Sequence, residues 1–95
     1  MSENRIFTFA EANGLVAAVR HLTEAAIARA ANLLDQDRVL AEWSDEITTL
    51  GCVVKGPWLV DFDNGSGFYC WRWPEPRVEY FHGYDEGFSD RVRIH

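Results

Sequence analysis

The hydrophobic pattern of this chain changes period at Gly51: before it apolar residues recur at helical spacing, and after it they alternate. A period of 3.6 cannot lie on a pleated strand, nor a period of 2 on a helix. The change therefore divides the chain into a helical first half and a sheet-forming second half. That order gives an α+β fold in which helices cover a sheet rather than alternate with its strands. A chain of 95 residues supplies one core, which both halves must share, so residues 1–95 are expected to form a single domain.

In the first half, Thr8 with Glu11 three residues later spells a capping box. Leu15, Val16, Val19, Leu22, Ala26, Ile27 and Ala30 then carry a helical stripe towards Leu34. A second stripe, Val39, Leu40, Trp43, Ile47 and Leu50, ends at Gly51, a natural C-cap. No glycine or proline separates the stripes, so one rod from Thr8 to Leu50 also fits the spacing. A rod could not cover its own stripe in a monomer of this size, which favours two helices in an antiparallel hairpin. Gly14, in the second turn, costs about 1 kcal/mol relative to alanine and is read as a point of close packing.

In the second half, Cys52 to Lys55 is a short lead-in strand, not counted in the sheet, that Gly56-Pro57 interrupts. Trp58 to Phe62 and Phe68 to Trp73 are strands, and Asn64-Gly65 between them signals a type I′ hairpin that sets Val60 opposite Tyr69 and Leu59 opposite Cys70. Pro74-Glu75-Pro76 reverses the chain into a third strand ending at His82. The expectation is thus two N-terminal helices on one face of a small three-stranded antiparallel sheet, followed by a C-terminal loop. Trp58, Val60, Phe62, Tyr69, Trp71 and Trp73 share the core face, and Leu59, Asp61, Phe68, Cys70 and Arg72 share the other. A four-residue loop from Pro74 to Arg77 puts Val78, Tyr80 and His82 on the core face and Arg72 opposite Glu79. A three-residue loop puts Tyr80 and His82 beside Cys70, Phe68 and Asp61. The first register has the cleaner amphipathic pattern.

A net charge of -6 with a single lysine argues against binding a phosphate backbone, so nucleic acid is not an expected partner. No basic start followed by an apolar stretch marks a secretory signal and no run reaches spanning length, from which no membrane association and a cytoplasmic location are expected. Cys52 and Cys70 form no CxxC pair, which disfavours a four-ligand zinc site and a disulfide framework.

Four blocks of residues resemble the uncharacterised bacterial proteins grouped as domain of unknown function 2203. They are Phe7-Thr8 with Glu11-Ala12-Asn13, Leu59-Val60-Asp61-Phe62, Cys70-Trp71-Arg72 with Glu75, and His82, Asp85, Gly87-Phe88 and Arg91. The chain departs from that pattern at Trp58, where the family has glycine, at Gly83, where it has glutamate, and in a shorter helical region. The resemblance implies two helices on a small antiparallel sheet and no established activity.

Candidate chemistry concentrates between Phe81 and Arg91. His82, oriented by Asp85 or Asp61, could do acid–base work, and His82, Asp85 and Glu86 together could ligate a divalent metal. Arg72 or Arg91 could hold an anion, Trp71 and Tyr80 with Trp58, Trp73 and Tyr69 could floor a pocket for a planar or cationic small molecule, and Glu86 is a further binding candidate. Cys70 would act as a nucleophile only in the register that brings a histidine to it. Four tryptophans are hard to bury in so small a chain, and exposed indole favours a protein contact. A self-associating, homodimeric binding or assembly module is the expected function. A small metal-assisted or acid–base enzyme acting on an anionic or planar substrate is the alternative.

Overall fold

A computed structural model describes residues 5–94, with α1 over Phe9–Arg29, α2 over Gln36–Thr49 and an antiparallel sheet. The capping box forms as spelled: Glu11 N–H donates to Thr8 Oγ1 at 3.1 Å and Thr8 N–H to Glu11 Oε1 at 2.8 Å. Between the helices the chain makes a 3-10 turn, Leu33–Asp35, started by the Asn32 side chain accepting from Leu34 N–H. The helical stripe therefore stops at Arg29, and Leu34 is 95% exposed. Gln36 reaches back to the Ala30 carbonyl while the Trp43 indole N–H donates to Thr23 Oγ1 at 2.9 Å, so the helices run as an antiparallel hairpin. The Thr23 hydroxyl in turn donates to the Val19 carbonyl, which leaves the fully buried Trp43 with no polar atom unpaired. Gly14 packs against nothing: a Cβ added there meets no atom within 4 Å, which corrects the expectation of a close approach.

The sheet has five strands in sequence order, not three: β1 (Val53–Gly56), β2 (Leu59–Asp63), β3 (Phe68–Arg72), β4 (Tyr80–His82) and β5 (Val92–Arg93). The first extra strand exists because Gly56-Pro57 makes a turn instead of a break. Pro57 takes the position its fixed φ suits, and the next position of a type II turn demands φ above zero. Trp58 supplies it at φ 61°, in the place where the resembling family has glycine. The left-handed backbone costs a bulky residue roughly 1–2 kcal/mol, offset by its ring packing edge-on against Trp43 at 4.9 Å. The second extra strand returns after residue 91 to pair with Tyr80 and Phe81.

Two registers differ from expectation. In the β2–β3 hairpin Asp61 lies opposite Cys70 and Val60 opposite Trp71, two residues away from the type I′ alignment. Asn64 closes a four-residue loop by accepting from the N–H groups of Ser66 and Gly67 with its own side chain, both at 2.8 Å. A shift of two preserves the faces, so Val60, Phe62 and Trp71 are buried beneath the helices as expected. The β3–β4 pairing sets Phe68 opposite His82 and Cys70 opposite Tyr80, the register that had been the less favoured. Its cause is Val78, which enters the core before β4 begins and donates its N–H to Asn13 on α1 at 2.8 Å. With the core filled there, Tyr80 and His82 face away from the helices. The proposed Arg72–Glu79 pair does not form; Glu79 pairs with Arg77 and Arg93.

The face opposite the helices is also covered. The segment 83–91 crosses it, packing Tyr84 on Phe68 at 5.1 Å and Phe88 under the guanidinium groups of Arg91 and Arg72 at 4.2 and 5.4 Å. Trp43 and Trp71 are fully buried and Trp58 and Trp73 half-buried, so the exposed large apolar residues are others, among them Leu34, Val92 and Phe9. Among the described residues, no helix is long and apolar enough to cross a membrane.

Candidate functional site

Beneath the 83–91 segment, three adjacent strands present one polar side chain each to the same point: Asp61 from β2, Cys70 from β3 and His82 from β4. Asp61 and Cys70 are direct cross-strand neighbours, and His82 reaches over from the diagonal position. One oxygen, one sulfur and one nitrogen lie within 4.8 Å of one another, in the one such group among the described residues. Asp61 and Cys70 are 0% exposed and His82 2%. Gly67 sits against the His82 carbonyl, where a Cβ would approach it to 2.6 Å, so β3 and β4 close tightly at this corner.

Hydrogen bonding fixes how the donors face. The His82 Nδ1 lies 2.9 Å from the Gly83 carbonyl, which can only accept, so Nδ1 carries a proton and Nε2 turns towards Asp61. Nε2 is 2.9 Å from Asp61 Oδ2, yet neither Asp61 oxygen completes a hydrogen bond of good geometry. Burial holds the Asp61 carboxyl above the usual carboxylate range, against the opposing charge of His82 and a bond from Cys70. Burial, with Asp61 beside it, pushes the Cys70 thiol up to about 12. A thiol so placed is a poor nucleophile. Donor atoms of three side chains thus converge at a point where neither Asp61 oxygen completes a well-formed hydrogen bond.

Behind Cys70, Arg91 Nη1 points at Sγ from 3.8 Å. The same guanidinium grips Glu75 with both arms, at 3.1 and 2.5 Å, and stacks 4.0 Å from the centre of the Tyr80 ring. Glu75 also accepts from Arg72 N–H at 2.8 Å, so the β3–β4 connection and the covering segment are tied together through one carboxylate. Beside Asp61 and His82 lies a cavity of about 320 Å³ lined by those two residues with Lys55, Leu59, Glu86, Gly87 and Phe88.

The residues singled out from sequence separate accordingly. His82 is in the cluster, and Glu86 lines the cavity with its Oε1 held by Gly83 N–H at 2.7 Å. Asp85 is exposed and stands outside the converging group. Arg91 and Tyr80 form the wall behind Cys70, and Arg72 lies over Phe88. Trp71 belongs to the helix-side core, its indole N–H donating to the Glu75 carbonyl at 2.9 Å. Asp61 enters the sequence reading only as an orienting partner of His82 and Cys70 only as a nucleophile, neither as a metal ligand, and Lys55 is not a candidate there. The signal for the first two was the composition of the outer face, where Leu59, Phe68 and Cys70 accompany Asp61. Such a face is too apolar to stand in water, and a carboxylate within it needs a partner.

The model of one family, described as "Uncharacterized conserved protein (DUF2203)", matches residues 28–94, from the last turn of α1 through all five strands. Every residue of the cluster and cavity lies in that span, whereas the resembling Phe7 to Asn13 block lies outside it. No curated protein and no solved structure matches the chain.

Proposed function

We propose that this chain, a member of the uncharacterized conserved protein family DUF2203, is a binding module for a divalent transition-metal ion held by Asp61, Cys70 and His82. The convergence of their ligand atoms within 4.8 Å, all buried and with no well-formed hydrogen bond to either carboxylate oxygen, carries the reading. Imidazole, thiolate and carboxylate together suit zinc or a neighbouring first-row ion better than magnesium or calcium, which take oxygen ligands. The Nδ1–H bond from His82 to the Gly83 carbonyl is the outer support that leaves Nε2 free to ligate. Three protein ligands leave a further position open, and it faces the cavity. A cation there replaces the Cys70 proton and supplies the charge that Asp61 lacks, so binding releases a proton and weakens on acidification.

Titration of the chelator-treated protein with zinc by calorimetry, and with cobalt by absorption, tests this. The expected outcome is one ion per chain with a thiolate-to-cobalt charge-transfer band. Cys70→Ser should remove the band and His82→Gln should weaken binding at least about tenfold, while Asp85→Asn changes neither. Folded protein that binds no ion stoichiometrically, or binds it equally well in the two variants, would overturn the reading. It would leave the 2.9 Å Asp61–His82 contact as a metal-free acid–base pair.

A further inference from the structure

Lys55, the single lysine of the chain, is placed at the cavity by an irregularity in the sheet. The β1–β2 register shifts between Val54 and Gly56, and Lys55 is the residue that the bulge inserts. Bulges re-aim a side chain at the expense of local pairing. Here the side chain is laid over the outer face, with its ammonium 4.4 Å from the centre of the Phe68 ring. Arg91, which points at Cys70, is engaged by Glu75, whereas among the described residues no ion pair includes Lys55. Lys55 is the one cationic side chain among the residues lining the cavity besides the ligand His82.

Resting on the metal centre proposed above, we infer that the cavity takes a small monocarboxylate, one oxygen in the open metal position and the other on the Lys55 ammonium. A doubly charged ion with one carboxylate and one thiolate ligand is neutral, so the positive charge left facing a ligand is that of Lys55. Glu86, which also lines the cavity with its carboxylate fixed by the Gly83 N–H, repels a second negative charge and so selects against dianions such as sulfate. Leu59 and Phe88 give the remainder of the ligand apolar walls, and a volume of about 320 Å³ limits it to a few carbon atoms beyond the carboxylate.

The test is titration of the cobalt-loaded full chain with acetate and butyrate, followed by the visible cobalt bands, with sulfate as the competing anion. Saturable band shifts are expected with both carboxylates, with butyrate the tighter. Lys55→Met should weaken them about fivefold or more without changing cobalt stoichiometry, and Lys55→Arg should restore part of the loss. Cobalt bands indifferent to carboxylates, a Lys55→Met variant that binds them as well as the parent, or tighter binding of sulfate would each overturn the clamp while leaving the metal centre standing. Failure to load cobalt at all would overturn both.

Discussion

Replacing Asp61 with asparagine should stabilise the metal-free protein, and zinc should invert the order of the two. Asp61 is fully buried, its oxygens complete no well-formed hydrogen bond, and burial raises its pKa more than the charges of His82 and Lys55 lower it. An ionised carboxylate in that setting costs several kcal/mol before its neighbours act, and about 1–3 kcal/mol after. Asparagine keeps the shape and removes the charge. For a chain of this length each kcal/mol moves Tm by roughly 4–8 °C. The sign with pH follows from linkage. A carboxyl whose folded pKa is raised contributes stability below its unfolded pKa and loses it as pH rises through the folded value. The advantage of asparagine should thus be small at pH 4 and full at pH 8. Zinc at about a thousand times its dissociation constant adds about 4.1 kcal/mol to a protein that binds it, enough to lift the parent above the variant, whose carboxamide is the poorer ligand. Thermal scans at both pH values, with chelator and with zinc, measure all four quantities. If Asp61→Asn is the less stable protein in chelator at pH 8, the carboxylate is a structural partner of His82 and the reasoning fails.

Three further outcomes are expected. Gly14→Ala should raise stability by about 0.5–1 kcal/mol, since the added methyl meets nothing and the helix gains propensity; an unchanged urea midpoint would mean that α1 is frayed at its second turn. A double-mutant cycle of Glu75→Gln and Arg91→Met should give a coupling of about 1–2 kcal/mol by urea denaturation, because the pair is bidentate and largely shielded. A coupling near zero would detach the 83–91 segment from β3. Gly67→Ala forces a methyl into the His82 carbonyl, so zinc affinity should fall by about tenfold even in protein that remains folded, and an unaltered affinity would show that β4 can move without disturbing His82.

How far the site could be read from sequence turned on one loop. The change of period at Gly51, the capping box at Thr8 and the glycine stop after α2 are local signals, and each appears where its residues put it. The faces of β2 and β3 were equally legible, because parity survives the two-residue slip that Asn64 imposes by bonding Ser66 and Gly67 through its side chain. His82 was different. Its face depends on whether the core is satisfied before β4 or within it, and the answer lies in a contact between Val78 and Asn13, 65 residues apart. Counting the loop as four residues favoured the wrong register by leaving Val78 to compete with Tyr80 for the core. Once His82 is on the outer face, Asp61 and Cys70 become its neighbours, and a histidine, a thiol and a carboxylate that looked unrelated along the chain become one cluster. The clue was chemical rather than periodic. A carboxylate between Leu59 and Phe62, with Phe68 and Cys70 set opposite its strand, has no reason to be on a wet face. It points to a second covered face, with a partner there for Asp61 such as His82.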